Sequence, residues 1–223
     1  MLARIVDAIS PSPQDFIVEI GPGEGALTRP LLERVPHLHV IELDRDLAAG
    51  LQSEKLTIHQ ADALEFDFGQ FPAGMRVVGN LPYNISTPLL FHLARYAGRV
   101  RDMHFMLQLE VVERMVAAAS TPAYGRLSVA LQARFRLRKL FNVSRGAFQP
   151  PPKVESAVVR LVPREQPLDI DEDLLRRAFS ARRKTLRNAI PGADFAAHGI
   201  DPGLRPENLS PEDYARLSMN SIL

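Results

Sequence analysis

The chain has 223 residues, 46% of them hydrophobic, and a formal net charge of +1, which accommodates one full globular domain with a smaller one and excludes a disordered chain. It contains no cysteine, so disulfides, thiolate metal sites and cysteine nucleophiles are excluded, and its six scattered histidines lack metal-ligand spacing, so no metal is expected. No apolar run is long enough to cross a membrane, and the charged first residues do not indicate a secretory signal, so we expect a cytoplasmic protein.

Short β-branched segments alternate with helical ones in the first two-thirds of the chain, which is the pattern of a parallel sheet covered by helices. The predicted strands are residues 16–20, 39–43, 56–59, 76–79 and 103–107. In an open sheet of this kind ligands bind outside the carboxyl ends of the strands. The loops that follow the strands are therefore where we expect the functional site.

After the fifth strand the sequence predicts that antiparallel strands form one edge of the sheet. Residues 110–119 and 128–135 are expected to be helical, and residues 139–143 and 156–162 are expected to form antiparallel strands.

In the last part of the chain the composition becomes polar and basic, and the residue pattern is typical of helices. Residues 163–167 are interpreted as a linker, and residues 169–187 as the longest helical stretch of the last part. We therefore predict a catalytic α/β domain over residues 1–165 and a small helical basic domain over residues 166–223.

The first chemical signal is a glycine-rich loop that directly follows the first predicted strand. Glu19 is the second-last residue of that strand, and Gly21, Gly23 and Gly25 alternate with larger residues before a helix. Glycine permits positive φ and lets the backbone approach a ligand closely. The pattern is typical of a nucleotide-binding loop, although a turn that needs only flexible residues could look the same.

Carboxylates at the ends of the next two strands extend this signal. Glu42 lies 21 residues after Gly21, where an acidic side chain can accept hydrogen bonds from ribose hydroxyls. Asp62 follows the third strand and could accept the amino group of an adenine, or it could only cap the next turn. Their neighbours Leu43 and Ala63 are expected to contact the same cofactor.

The most specific string is Asn80-Leu81-Pro82-Tyr83, which follows the fourth strand. An exocyclic adenine amine is a poor nucleophile because its lone pair is delocalised into the ring. The amide oxygen of Asn80 and the carbonyl of Leu81, held extended by Pro82, can accept its two hydrogens and orient the lone pair. Tyr83 offers an aromatic face on which an extruded base can stack. This string predicts methylation of an adenine N6 amine.

These strings together resemble the rRNA adenine dimethyltransferases, and most strongly the small-subunit (16S) N6,N6-dimethyltransferases of the KsgA type. The matching segments are residues 19–28, 79–88, 105–110, 124–128, 148–156 and 182–188. The resemblance implies a Rossmann-like class I methyltransferase fold with helices on both faces of the sheet. It also implies S-adenosyl-L-methionine as cofactor, and dimethylation of two adjacent adenosines in the 3′-terminal hairpin of 16S rRNA within the assembling small subunit.

The resemblance also assigns roles to particular residues. Gly21, Glu42, Asp62 and Asn80 would contact the cofactor, and Asn80, Leu81 and Tyr83 would hold the target base. Phe148 precedes three prolines and would form a second stacking face opposite Tyr83. From chemistry alone, Phe148 could equally be a loop aromatic packed under the sheet edge.

A basic cluster late in the sequence predicts the macromolecular partner. Its members in the last domain are Arg176, Arg177, Arg182, Arg183, Lys184 and Arg187. Such a surface attracts phosphates, so we interpret it as the rRNA contact, although a charge run can also be a solvated face. A monomer is the default expectation.

One feature departs from the family pattern. Family members carry a basic N-terminal segment with a Gly-Gln-Asn-Phe-Leu-like motif, whereas this chain starts at Met1 inside the first predicted helix. That motif lies over the methionine end of the cofactor. We therefore expect weak cofactor binding, and a calorimetric titration showing ordinary tight binding would refute this expectation.

Three alternative functions remain open from the sequence. A large-subunit rRNA methyltransferase of the antibiotic-resistance type shares the Asn-x-x-Tyr chemistry, but residues 148–156 and the C-terminal segment argue against it. A DNA adenine methyltransferase would more often carry Asp or Asn before Pro-Pro-Tyr and would need a separate recognition domain. A non-catalytic ribosome assembly factor would not need the complete motif at Asn80.

Overall fold

The structure is a computed structural model that describes residues 1–147, 153–181 and 183–219. The chain divides into two compact units. The first contains Met1–Val112 and Arg138–Pro163, and the second contains Glu113–Leu137 and Arg164–Leu223. The predicted sites at Phe148 and Arg182 lie outside the described residues.

The first unit is built on a mixed β-sheet. Its strands are β1 (Ile17–Ile20), β2 (Leu38–Glu42), β3 (Leu56–Gln60), β4 (Met75–Asn80), β5 (Val100–Gln108), β6 (Phe135–Val143) and β7 (Ser156–Pro163). The strand order is β3-β2-β1-β4-β5-β7-β6. Strands β1 to β5 pair in parallel, and β7 pairs antiparallel to β5. The predicted α/β fold with an antiparallel strand towards one edge is confirmed.

Helices follow most of the strands along the chain. They are α1 (Leu2–Ile9), α2 (Thr28–Leu32), α3 (Arg45–Gly50), α4 (Ser86–Ala94), α5 (Leu109–Val116), α6 (Arg126–Gln132), α7 (Glu172–Ser180), α8 (Leu186–Ala189) and α9 (Pro211–Ser218). Within the described ranges, none of them is long and apolar enough to cross a membrane.

Side chains along β2 point alternately to the two faces of the sheet, and helices cover both of these faces. Val40 belongs to a buried cluster with apolar residues of α1 and α2. The preceding His39 points to the other face and contacts the ring of Phe71, with centroids 5.4 Å apart. Phe71 packs against Phe68, which contacts His92 of α4. The predicted arrangement of a sheet between two helical layers is therefore present.

The second unit is larger than the predicted C-terminal domain. The prediction divided the chain at residue 165, whereas the structure also places Glu113–Leu137 in this unit. The reason is a shared core, because Val129 and Ala133 are buried with Leu174 and Leu175 of α7. The N–H of Leu168 also donates to the carbonyl of Ala133 over 2.8 Å.

The basic stretch at residues 169–187 does not form one helix, so that prediction was wrong. Helix α7 ends at Ser180, and Ala181 leaves the helical conformation with φ −119° and ψ 44°. The N–H of Lys184 donates to the carbonyl of Ala181 in a turn, and α8 begins at Leu186. Arg183 and Lys184 therefore lie between two helices.

Candidate active site

The glycine-rich loop after β1 bends across to β2. Gly21 and Gly23 have φ of 63° and 56°, which strain any other L-residue. The N–H of Gly21 donates to the carbonyl of Ile41 over 2.9 Å, and the N–H of Gly23 donates to Glu42 Oε2 over 3.1 Å. The space around a Cβ at Gly23 is empty, so a ligand can approach the loop closely.

Glu42 ends β2 and is only 8% exposed. Its Oε2 accepts from Gly23, and its Oε1 accepts from the N–H of Asp44 over 3.0 Å. Each carboxylate oxygen has a further lone pair that can accept a ribose hydroxyl. The side chain is thus oriented before a ligand binds.

A cavity of about 350 Å³ lies at the carboxyl ends of β2 and β3. It is lined by Glu42, Leu43, Asp62 and Ala63, together with Pro82 and other residues. The structure therefore brings these four predicted cofactor residues to one cavity.

The side chains of this cavity suit an adenosine. Leu43 is 65% exposed and offers an apolar surface for a purine ring. Asp62 Oδ1 accepts from the N–H of Leu64 over 2.8 Å, which fixes the carboxylate at the rim. The capping role considered for Asp62 is thus present, and its Oδ2 accepts no hydrogen bond from the described part of the chain.

A second cavity, of about 370 Å³, lies at the carboxyl ends of β1 and β4. Its lining includes Glu19, Gly21, Gly23 and Asn80, and it also includes Met1, Leu2, Ile5, Leu27 and Met106. Gly21 borders both cavities, so the two form adjoining halves of one groove. Gly25, the third glycine of the loop, lines neither cavity and serves packing, because a Cβ there would lie 2.8 Å from the side chain of Leu51.

Glu19 is a buried acidic residue in the lining of this second cavity. It is 1% exposed, and the hydroxyl of Thr28 donates to its Oε2 over 2.7 Å. Burial raises its pKa to about 7, nearby Glu42 acts in the same direction, and the hydrogen bond from Thr28 opposes them. The carboxyl can therefore change its protonation state near neutral pH.

The raised pKa of Glu19 makes stability depend on pH. Because the folded pKa of about 7 exceeds the ordinary value of 4.5, the neutral group stabilises the fold fully below pH 4.5 and this contribution is lost as the pH rises to 7. Relative to Glu19→Gln, the wild-type free energy of unfolding should fall by about 3 kcal/mol over that interval. Urea unfolding of both proteins across this pH range measures the difference, and parallel pH curves would contradict it.

The predicted catalytic string, Asn80 to Tyr83, begins where β4 ends. Asn80 is exposed and borders the second cavity, and Leu81 is 1% exposed with its N–H donating to the carbonyl of Met106 over 3.2 Å. The hydroxyl of Tyr83 lies 2.9 Å from Ser156 Oγ, and Ser86 Oγ donates to the Tyr83 carbonyl over 3.1 Å. The string is thus anchored at several points while the Asn80 amide stays accessible.

The described members of the predicted basic cluster fall into two groups. Arg176 and Arg177 both pair with Asp173 on the same helix, and these pairs hold the pKa of Asp173 below its usual range. Arg183, Lys184 and Arg187 are exposed, and among the described residues none of them has a carboxylate within ion-pairing distance. These three are therefore the cations available to a phosphate.

Some residues of the site were not found from the sequence. Thr28, which donates to Glu19, and Ser156, which pairs with Tyr83, were not assigned a role, because serine and threonine are common in turns and strands. The apolar spacing of Leu2, Ile5 and Ile9 did carry a signal, since it places them on one face of α1. That face contributes Leu2 and Ile5 to the cavity.

Comparison with known proteins identifies the family. The sequence model of the family "Ribosomal RNA adenine dimethylase" matches residues 1–221. The chain is 59% identical to the ribosomal RNA small subunit methyltransferase A of Aromatoleum aromaticum, over 98% of this chain and 88% of that protein.

Two solved structures are similar as well. A dimethyladenosine transferase from Plasmodium falciparum has a TM-score of 0.80 and 27% identity, covering 97% of this chain and 93% of that one. The 23S rRNA methyltransferase ErmE has a TM-score of 0.72 and 26% identity, covering 97% and 94%. From its sequence, its fold and its groove, the chain belongs to the ribosomal RNA adenine dimethylase family.

Proposed function

We propose that the chain transfers methyl groups from S-adenosyl-L-methionine to the N6 amines of two adjacent adenosines in the 3′-terminal hairpin of 16S rRNA. The observation that carries this proposal is the position of Asn80, exposed at the end of β4 and bordering the groove, in a chain of this family. The cofactor supplies an electrophilic methyl group on its sulfonium. All other elements of the reaction are binding and orientation by the protein.

The two cavities of the groove would each hold one end of this cofactor. Glu42 would accept the ribose hydroxyls and Asp62 the adenine amine, with Leu43 and Ala63 against the purine. The glycine loop, Glu19 and Asn80 would surround the methionine end. A Cβ at Gly79 would lie 2.6 Å from the carbonyl of Ile20, so this close approach of β4 to β1 requires glycine.

The catalytic string would orient the target amine. Asn80 Oδ1 and the Leu81 carbonyl accept its two hydrogens, which leaves the nitrogen lone pair directed towards the methyl group. Tyr83 stacks on the extruded base. The methylated nitrogen is acidic once the bond has formed and releases its proton to water, so no side chain has to act as a general base.

The cations of the second unit would bind the rRNA backbone. Replacing Arg183, Lys184 and Arg187 together by glutamine should weaken rRNA binding and lower the slope of log affinity against log salt by roughly 0.7–0.9 for each phosphate that is no longer neutralised. Replacing Arg176 and Arg177 by glutamine is the matched control, since both already pair with Asp173. Filter binding at several salt concentrations measures both, and equal slopes for the two variants would contradict this assignment.

We further propose that the chain acts as a monomer in the cytoplasm on the assembling small subunit. The natural substrate would then be RNA partly covered by ribosomal proteins. Recognition would depend on the shape and backbone of folded RNA, with the target adenine displaced from its stack.

A substrate comparison tests the proposed function. The protein is incubated with methyl-labelled cofactor and, separately, with small subunits lacking the modification, with large subunits and with duplex DNA. Label should enter only the small subunit. Label in the large subunit would support the antibiotic-resistance type of activity instead, and an absence of label in all three would support a non-catalytic assembly factor.

A further inference from the structure

We propose that Ser156 is a positioning residue that holds the ring of Tyr83 in the orientation needed to stack on the target adenine. This inference rests on the proposed adenine methylation. The two residues are 73 positions apart in sequence, and their hydroxyl oxygens are 2.9 Å apart.

The sheet topology brings Ser156 to the site. Ser156 is the first residue of β7, paired with Gln108 at the end of β5. Because β7 runs antiparallel to β5, its amino end lies at the same edge of the sheet as the carboxyl ends of the parallel strands. Tyr83 follows β4, so its side chain reaches past the end of β5 to meet Ser156.

Tyr83 is held at both of its ends. Ser86 Oγ donates to its backbone carbonyl over 3.1 Å, and Ser156 engages its phenol. Both serines are only 1% exposed, so neither hydroxyl can easily exchange its partner for bulk water. The ring therefore has little freedom to rotate about χ1.

This restraint matters for stacking more than for folding. A base stacks well only on a ring of defined plane and position, and a ring that samples several rotamers must be ordered when the base binds. Ser156 does not need to touch the substrate for this effect. Its loss should reduce methylation without changing the contacts to the cofactor.

A double-mutant cycle tests the inference. Tyr83→Phe and Ser156→Ala each remove the hydrogen bond and keep the ring, so each should lower kcat/KM for the small subunit by roughly 3- to 10-fold, the rate equivalent of one net hydrogen bond. The double variant should show no further loss, because both changes remove the same interaction. The cofactor Kd should be unchanged in all three proteins.

A structural control separates positioning from general destabilisation. Ser128 is also buried, and its hydroxyl donates to a backbone carbonyl in the second unit, so Ser128→Ala should lower the melting temperature and leave kcat/KM unchanged. Independent losses that add in the double variant would overturn the positioning role, as would unaltered kcat/KM for Ser156→Ala. A wild-type protein that does not methylate rRNA would instead overturn the proposed function.

Discussion

Replacing Asn80 by alanine should lower the methylation rate by roughly 10²- to 10³-fold, the effect of removing one preorganised group from an electrostatic catalytic site. The side chain of Asn80 is exposed and borders the second cavity, where its amide oxygen can accept from the target amine. Single-turnover kinetics with saturating cofactor measures the chemical step. Calorimetry measures cofactor affinity, which should fall far less than the rate.

Two further variants serve as controls for Asn80→Ala. Asn80→Asp keeps a side-chain oxygen acceptor and should retain more activity than Asn80→Ala. Asn142→Ala changes an exposed asparagine on β6 that lines neither cavity, so it should leave the rate unaltered. A rate for Asn80→Ala within a factor of about three of wild type would show that the amide does not orient the amine.

Replacing Arg76 by methionine should destabilise the fold by about 3–5 kcal/mol, because it takes the buried cation away from two buried carboxylates. These carboxylates then keep only more exposed cationic partners, Arg101 at Asp15 and Arg160 at Asp102. Arg76 is 3% exposed, and it binds Asp102 and Asp15, each over 2.7 Å. Burial alone would raise the pKa of Asp102, but the hydrogen bond and charge of Arg76 hold it below its ordinary value. Chemical denaturation monitored by circular dichroism measures the loss.

Arg101 provides the control for this second prediction. It binds the same Asp15 over 2.8 Å, but its side chain is 62% exposed, so Arg101→Met should cost less than about 1 kcal/mol. Equal losses of stability for Arg76→Met and Arg101→Met would show that burial does not make the ion pairs of Arg76 more important than that of Arg101.

Arg76 also connects the stability of the fold to the groove. Its guanidinium donates to the carbonyls of Ile9 and Ser10 at the end of α1, and α1 contributes Leu2 and Ile5 to the second cavity. Loosening this anchor should therefore weaken cofactor binding even where the protein is still folded.

Much of the fold could be predicted from local sequence patterns. The parallel strands are short, apolar and followed by loops, and each predicted strand overlaps an observed one. The glycine loop, Glu42 and Asp62 were predicted because each lies at or just after the carboxyl end of a strand, and parallel strands bring these ends to one edge of the sheet. Their catalytic and binding roles stay predictions.

The rest depends on contacts between distant residues, which local patterns do not contain. Nothing near Tyr83 indicates Ser156, and nothing near Arg76 indicates that Asp15 and Asp102 surround it. The break after Ser180 was missed because alanine and arginine favour helices, whereas the structure buries Ala178 of α7 and Leu186 of α8 in one core on either side of the break. Helix α6 was not predicted to belong to the second unit for a similar reason, because its assignment depends on the burial of Val129 in the core of that unit.

Mass analysis of the 3′-terminal fragment of small-subunit rRNA is a direct test of the proposed reaction. Small subunits lacking the modification are incubated with the protein and S-adenosyl-L-methionine, and the rRNA is digested and sequenced by mass spectrometry. We expect two adjacent N6,N6-dimethyladenosines in the terminal hairpin, and none with Asn80→Ala. An unmodified hairpin, or methylation confined to other nucleotides, would contradict it.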